Sequence, residues 1–364
     1  MSGLADFQPR RILVCQQRQI GDVLLITPAL QCLRERFPAA SIHVLTERKC
    51  LSMLERNPHV DRVWLLDKAI VPTLWHEVRW FWQVARTGYD LVINFQPSLP
   101  RLRWVVAFSG ARARLAAAPP WYLRFLYTHA TPAPAPGSYA ARTKVGVLAP
   151  LGIHWRGERP RLYLAEEERI DAAALLDDLG LRDGQTLITV DPTHRQPTRR
   201  WPLEHYARLL ALLAARGAAT GLDLRFLPLW GPGEEKDIRE LLALARAQAC
   251  AERLLLPERM LSLREMAACM ERAALHIGNC SAPRHMAVAV GTRSCIAHGS
   301  TGQEWTCPSA GNLPDHLGLA AGLDCQPCEA NHCGLAGGAS SAPCLRALAP
   351  ERLAEAAFGL LPAR

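Results

Sequence analysis

At 364 residues, with 49% hydrophobic and 21% charged side chains, the chain can bury a large core and is long enough for two domains. A net charge of +8 favours an anionic partner, yet no nucleic-acid-binding motif accompanies it, so no nucleic acid is expected. Apolar runs stay short of the roughly 18 residues a membrane span needs, Met1 to Arg11 does not read as a secretory leader, and twelve cysteines scattered through a long chain read as reduced thiols of a cytoplasmic protein.

Arg11-Ile-Leu-Val-Cys15 reads as a strand. A helix opens at Ile20-Gly-Asp22 and carries Leu24, Leu25, Ala29, Leu30 and Leu33 at helical spacing, with Pro28 near its start and Phe37-Pro38 at its end. Strands follow at Ser41–Leu45, Val60–Leu66 and Tyr89–Asn94, with helices expected at 48–56 and 73–87. Such regular alternation predicts a parallel sheet with helices on both faces. From Arg101 to Tyr127, arginines alternate with bulky apolar groups, among them Trp104, Trp121, Tyr122 and Phe125. The segment fits a helix–loop–helix lying on an anionic interface, and equally core aromatics flanked by solvated arginines. Pro132–Gly137 is a proline-rich surface loop.

The second half repeats the alternation. A helix over 166–180 leads to a strand at Thr186–Val190, a helix at 203–216, a strand at Leu224–Leu229, a helix at 234–249 and a short segment at 254–256. Ser262 with Glu265 forms a capping box for a helix at 263–272. Ala274 to Gly291 then reads as strand, turn and helix, with Ser281 as N-cap and Pro283 in the first turn. A strand–loop–helix unit of this kind points free N–H groups and a positive dipole end at one spot, which suits phosphate. The expected domains are 1–180 and 181–349, joined across a cleft lined by the carboxyl ends of both sheets, with a last helix over 350–364.

Neither a dinucleotide fingerprint nor a Walker loop follows an early strand, which argues against an NAD enzyme or a P-loop NTPase. Asp22 stands at the first strand-to-helix turn, where a carboxylate serves as general base or as a structural cap. Asp191 to Pro202 holds Arg195, Arg199 and Arg200 at a strand–helix junction, and forked guanidinium donors suit a diphosphate. Glu234, after Trp230-Gly-Pro-Gly, is placed to accept from ribose hydroxyls.

These pieces, taken in order, resemble glycosyltransferase family nine, the ADP-heptose:lipopolysaccharide heptosyltransferases. The matching stretches are Ile20–Leu30, Asn57–Val63, Tyr89–Asn94, Arg199–Pro202, Gly231–Glu234, Ser262–Glu265, Gly278–His285 and Gly299–Thr301, spread over nearly the whole chain. The resemblance implies an α/β chain of GT-B fold, two Rossmann-like domains facing a central cleft, with the donor held by the C-terminal one and no catalytic metal. It implies that the last helix crosses back to the first domain. It makes Asp22 the general base and places Arg199, where the family usually has lysine, on the donor phosphate. Thr193, His194, Glu234, Cys280, Ser281, Ala282 and His285 fall around the nucleotide-sugar. Departures are Cys280 where the family commonly has aspartate, Ala282 in place of glycine, and Arg199 itself. The reaction implied is inverting transfer of a heptose from an ADP-sugar to an acceptor hydroxyl, the lipopolysaccharide inner core being favoured, with peripheral contact at the inner membrane.

Cys325, Cys328, Cys333 and Cys344 have a spacing that suits a structural zinc or iron, with free thiols or a redox pair as the alternative. The tail resembles the branch of the family that heptosylates autotransporter adhesins, which implies a protein acceptor and homo-oligomeric assembly as the second reading. A catalytically silent, metal-containing binding protein on the same scaffold is the third.

Overall fold

The computed structural model describes residues 4, 6–67, 69, 71–135, 137–302, 314–335, 337 and 341–362. Pro136 of the proline-rich loop and part of the stretch between Cys333 and Cys344 therefore lie outside the described residues. The chain divides into two compact units, Met1–Tyr163 and Leu164–Arg364.

In the first unit the elements run β1 (Arg11–Cys15), α1 (Ile20–Leu25), α2 (Thr27–Arg36), β2 (Ser41–Glu47), β3 (Arg62–Leu66), α3 (Leu74–Ala85), β4 (Leu91–Asn94), α4 (Leu102–Phe108), β5 (Ala113–Ala117), β6 (His129–Thr131) and α5 (Ala140–Gly146). The strands form one parallel sheet in the order β3-β2-β1-β4-β5-β6. β1, β2 and β4 are buried almost throughout, as apolar strands covered on both faces must be.

Three local expectations change, each for a visible reason. The helix after β1 breaks at Ile26, because Pro28 has no N–H to give the Leu24 carbonyl; the Thr27 hydroxyl donates to that oxygen instead, at 2.7 Å. Residues 48–53 form a 3₁₀ turn rather than a longer helix. The arginine-rich stretch contains a strand, β5, between α4 and a 3₁₀ turn at Trp121–Leu126. Arg114 on that strand folds back and donates to the carbonyls of Leu126 (2.6 Å) and Ala111 (2.5 Å), so its guanidinium is spent on backbone groups of the flanking loops.

The second unit runs α6 (Glu166–Asp178), β7 (Gln185–Asp191), α7 (Leu203–Ala219), β8 (Asp223–Pro228), α8 (Glu235–Ala247), α9 (Leu263–Arg272), β9 (Leu275–Asn279), α10 (Ala282–Val290), β10 (Ser294–Ala297), β11 (His316–Leu319), α11 (Pro343–Arg346) and α12 (Pro350–Gly359). Its sheet is also parallel, in the order β11-β10-β9-β7-β8. α6 falls in this unit, so the division comes at Tyr163/Leu164 and not near residue 180. It packs on α9, and Arg169 pairs with Glu271 at 2.7 Å. The last helix, expected to return to the first unit, packs on α7 and β10. There the Leu348 carbonyl accepts from Trp201 Nε1 (3.1 Å) and the Leu360 carbonyl from Arg293 (2.7 Å).

Each sheet changes direction once, at β1/β4 in the first unit and at β7/β9 in the second. Open parallel sheets bind ligands beyond the carboxyl ends of strands at such points. The described cysteines are all free thiols. Among the described residues no helix is long and apolar enough to cross a membrane.

Candidate active site

In the first unit the loop after β1 is bound tightly from behind. Gln16 and Gln17 are fully buried. The Arg18 carbonyl accepts from Gln16 Nε2 (2.7 Å) and Gln96 Nε2 (3.1 Å), while Gln96 Oε1 accepts from the Arg18 N–H at 2.9 Å. Gln96 follows β4, so these bonds close the loop across the β1/β4 switch. Gln19 then sits at φ 59°, a strained position for a residue with a Cβ, immediately before α1. Asp22 lies in the first turn of α1, half-buried. Burial pushes its pKa above the usual carboxylate range, and the charge of Lys144 pulls it back.

Lys144 is the residue that sequence reasoning missed. It sits on the inward face of α5 with Ala140, Ala141 and Val145. Its ammonium donates to Gln16 Oε1 at 3.0 Å and lies 5.4 Å from the centre of the Phe95 ring. Burial lowers its pKa and Asp22 raises it, so each charge supports the other. The available signal was periodicity: a lysine at i+3 and i+4 from alanines of a buried face has no solvent to reach.

The second unit gathers most of the expected residues at the carboxyl ends of β7, β9 and β10. Asn279, fully buried at the end of β9, accepts from the Trp201 N–H (2.9 Å) and donates to the carbonyls of Asp191 (3.3 Å) and Thr193 (3.1 Å). The Thr193 hydroxyl donates to Glu234 Oε2 at 2.6 Å, and the Gly231 N–H donates to the same oxygen at 2.7 Å. One Glu234 carboxylate thus joins the loops after β7 and β8. Ser281 is the N-cap residue of α10, but its side chain makes no cap bond; its hydroxyl donates instead to the buried Asp191 carboxylate. Burial, with help from the Glu234 charge, pushes the Asp191 pKa up to about 7 against the pull of Ser281 and Thr193.

Arg199 ends the 3₁₀ turn Pro197–Arg199. The turn is held on two sides, since Thr198 O accepts from the Ser300 N–H (3.1 Å) and Pro197 O from the Ala342 N–H (3.3 Å). The fit is close enough that a Cβ on Gly299 would stand 2.1 Å from Thr198 O. Burial first, and the Arg199 charge next, bring the His194 pKa down to about 4. Cys280 is buried between Asn279 and Ser281, and Ala282 is the first residue of α10. His285 is buried near Arg284; burial and that guanidinium lower its pKa to about 3.

Around this edge several buried polar atoms lack a hydrogen-bond partner among the described residues: Arg199 Nε, Thr198 Oγ1, Trp230 Nε1, Ser300 Oγ and Thr301 Oγ1. Native interiors rarely leave such groups unsatisfied, and these five lie on the loops that follow β7, β8 and β10. The set consists of a guanidinium, an indole N–H and hydroxyls, donors suited to phosphate and ribose oxygens. A cavity of about 250 Å³ beside β5, β6 and α5, lined by Ala117, Thr131 and Arg142, involves none of these groups.

Cys325 and Cys328 are exposed, Cys333 is half-buried and Cys344 is buried. Burial raises the Cys344 pKa, and the charges of Cys325, Cys328 and Cys333 add to the effect. Among the described residues, however, no three His, Cys, Asp or Glu side chains are gathered as metal ligands. The exposed pair lies on a loop fastened to the residues after β10. Gln326 Nε2 donates to Gly299 O (2.8 Å), the Glu329 N–H to Ser300 O (2.8 Å), and the Gly302 N–H to Glu329 Oε1 (2.8 Å).

Residues 78–336 match glycosyltransferase family 9 (heptosyltransferase). Lipopolysaccharide heptosyltransferase 3 of Escherichia coli is 25% identical over 313 residues, which is 80% of this chain and 84% of that protein. Among solved structures, the glycosyl transferase family 9 protein from Veillonella parvula is similar with a TM-score of 0.80 at 21% identity, covering 96% of this chain and 97% of that one. The Escherichia coli heptosyltransferase WaaC with ADP-2-deoxy-2-fluoro heptose is similar with a TM-score of 0.67 at 18% identity, covering 95% and 99%. The fold is α/β of the GT-B type, as expected from the sequence.

The Asp191 carboxyl gives a pH-dependent stability. Its folded pKa of about 7 stands above an unfolded value near ~4, so the folded state holds the extra proton between these limits and stability falls as pH rises through that window. Asp191→Asn removes the titrating group. Its melting temperature relative to wild type is expected to rise by several degrees between pH 5 and pH 8; an equal difference at both pH values contradicts the assignment.

Proposed function

The chain belongs to glycosyltransferase family 9, the heptosyltransferases, and from that premise we propose that it transfers a heptose from ADP-heptose to a hydroxyl of the lipopolysaccharide inner core. The observation that carries the donor half is the set of buried, unpartnered polar groups of Arg199, Thr198, Trp230 and Ser300 on the loops after β7, β8 and β10. The names of the relatives support the sugar and the acceptor: a lipopolysaccharide heptosyltransferase by sequence, and a heptosyltransferase holding an ADP-heptose analogue by structure.

In this reading Asp22 takes the proton from the acceptor hydroxyl. The freed oxygen attacks the anomeric carbon on the side opposite the diphosphate, the new C–O bond inverts the centre, and ADP leaves with the electrons of the broken bond. Arg199 and the amides opening α10 meet the charge growing on the diphosphate. Glu234, already set by Thr193 and Gly231 N, accepts from the ribose hydroxyls. Lys144 keeps Asp22 available as carboxylate despite its burial, by charge and by fastening Gln16. Cys280, replacing the family's usual acid, leaves a less polar wall beside the sugar, which suits a donor making fewer hydrogen bonds there.

A protein acceptor is the second reading, favoured by the spacing of the four cysteines in the sequence. With it goes a structural zinc or iron on Cys325, Cys328, Cys333 and Cys344, whose thiolates would supply a tetrahedral sulfur set. Metal analysis of the purified chain should then give about one zinc or iron per chain, lost in Cys325→Ser/Cys328→Ser. Metal-free protein with unchanged melting behaviour removes the metal from the proposal.

Asp22→Ala is expected to lower turnover with labelled ADP-heptose and inner-core acceptor by about 10²–10⁴-fold, with ADP affinity unchanged by calorimetry. Wild-type turnover in that variant excludes Asp22 as base. Lys144→Gln retains a donor toward Gln16 but removes the charge that lowers the Asp22 pKa. The acid limb of its kcat/KM profile should therefore move to higher pH; an unmoved limb separates Lys144 from the base.

A further inference from the structure

The outward side of the first unit carries a surface unlike the rest of the chain. On α3, Trp75, Arg79, Trp82 and Arg86 fall at helical spacing on one stripe, and all are exposed. The opposite stripe, Trp80, Phe81 and Val84, is in the core. α3 packs on α4, and α4 packs on the turn Trp121–Leu126, so the three share a neighbourhood. α4 adds exposed Arg103 and Phe108, and the turn adds Trp121, Tyr122 and Phe125. Trp121 is 88% exposed, Phe125 77% and Trp75 74%. Among the described residues, most of the exposed large apolar side chains lie on these elements. Soluble proteins do not usually leave so many neighbouring aromatics in water.

Charge selects the occupant. Between Thr73 and Tyr127 the only acids are Glu77 and Asp90, against seven arginines. Glu77 is buried and paired with Arg101 at 3.1 Å. Asp90 accepts from the Arg10 and Arg11 N–H groups, at 2.7 and 3.0 Å. The exposed face is therefore cationic. The Arg86 guanidinium lies 4.6 Å from the Trp82 ring centre and Arg103 4.9 Å from that of Trp104. A second copy meeting this face through a two-fold axis would set arginine against arginine. Aromatic rings interleaved with arginines instead match the headgroup layer of an anionic bilayer, where rings enter the interface and guanidinium groups meet phosphates.

We propose that the face formed by α3, α4 and the Trp121–Leu126 turn docks this protein on anionic phospholipid membrane. The proposal deepens the lipopolysaccharide reading by naming the surface on which the acceptor would be met, but it stands or fails without it, because the test uses lipid carrying no sugar. Purified full-length chain is sedimented with phosphatidylethanolamine–phosphatidylglycerol vesicles and with phosphatidylcholine vesicles. Strong binding to the first, weak binding to the second and loss in high salt are expected. Trp121→Ser/Phe125→Ser should lower partition by on the order of ten-fold with unchanged melting, since both rings stand in solvent. Arg79→Glu/Arg103→Glu should abolish the preference for anionic lipid, giving a second variant should the first misfold. Equal binding to both vesicle types, or full binding by both variants, overturns the proposal. So does a fall in solution mass of the variants without vesicle binding by the wild type, which would assign the face to self-association. Heptose transfer to a lipid-free core saccharide should be unaffected by either variant, so a failed vesicle experiment and a failed heptosyltransferase assay remain distinguishable.

Discussion

The buried amide of Asn279 gives its oxygen to the Trp201 N–H and its nitrogen to the carbonyls of Asp191 and Thr193. A parallel sheet leaves the loops at its carboxyl edge without ladder partners, and an irregular loop can be buried only if its backbone groups are met by something else. Asn279 does this for the long connection between β7 and α7. Thr193 is thereby set within reach of Glu234, the turn ending at Arg199 has a fixed departure point, and Trp201 enters the core beside Tyr206, ring centres 4.8 Å apart. Without that amide the Thr193 carbonyl and the Trp201 N–H would lose these partners, at a cost of roughly 1–3 kcal/mol for each group left unsatisfied, while the Asp191 carbonyl would keep the Tyr206 hydroxyl at 3.2 Å.

The two units treat a buried carboxyl in opposite ways. In the first, a lysine from α5 offsets the desolvation of Asp22 and keeps its charged form accessible. In the second, Asp191 has Glu234 for a neighbour, and burial together with that negative charge favours the protonated form. A base at Asp22 and a diphosphate held by the second unit, as proposed, would need these different settings. A proton acceptor has to be ionised when the acceptor sugar arrives, whereas full negative charge close to a diphosphate would repel it.

Much of this was legible in the residues. Alternating apolar runs and helical periods gave the parallel sheets, and the Gly21-Asp22 and Gly233-Glu234 turns announced carboxylates at strand ends. The misreadings have physical causes. Ala113–Ala117 is a strand whose alternation was obscured by arginines, one of which turns back onto the carbonyls of Ala111 and Leu126. α6 looked like the end of the first domain because contiguity in sequence says nothing of its packing on α9. Ser281 looked like a helix cap because its position is one, yet Asp191, 90 residues distant, takes its hydroxyl. Lys144, Gln16 and Gln96 act across long separations, and no local pattern encodes a partner that far away.

The cysteine-bearing segment has a mechanical role whatever its thiols bind. Through Gln326 and Glu329 it grips the residues after β10, and through Ala342 it grips Pro197. Those same residues hold Thr198, the neighbour of Arg199. The tail therefore works as a brace on the Pro197–Arg199 turn: trimming the chain beyond β11 would remove the bonds that seat this turn and the residues after β10, and so loosen a guanidinium far upstream in sequence.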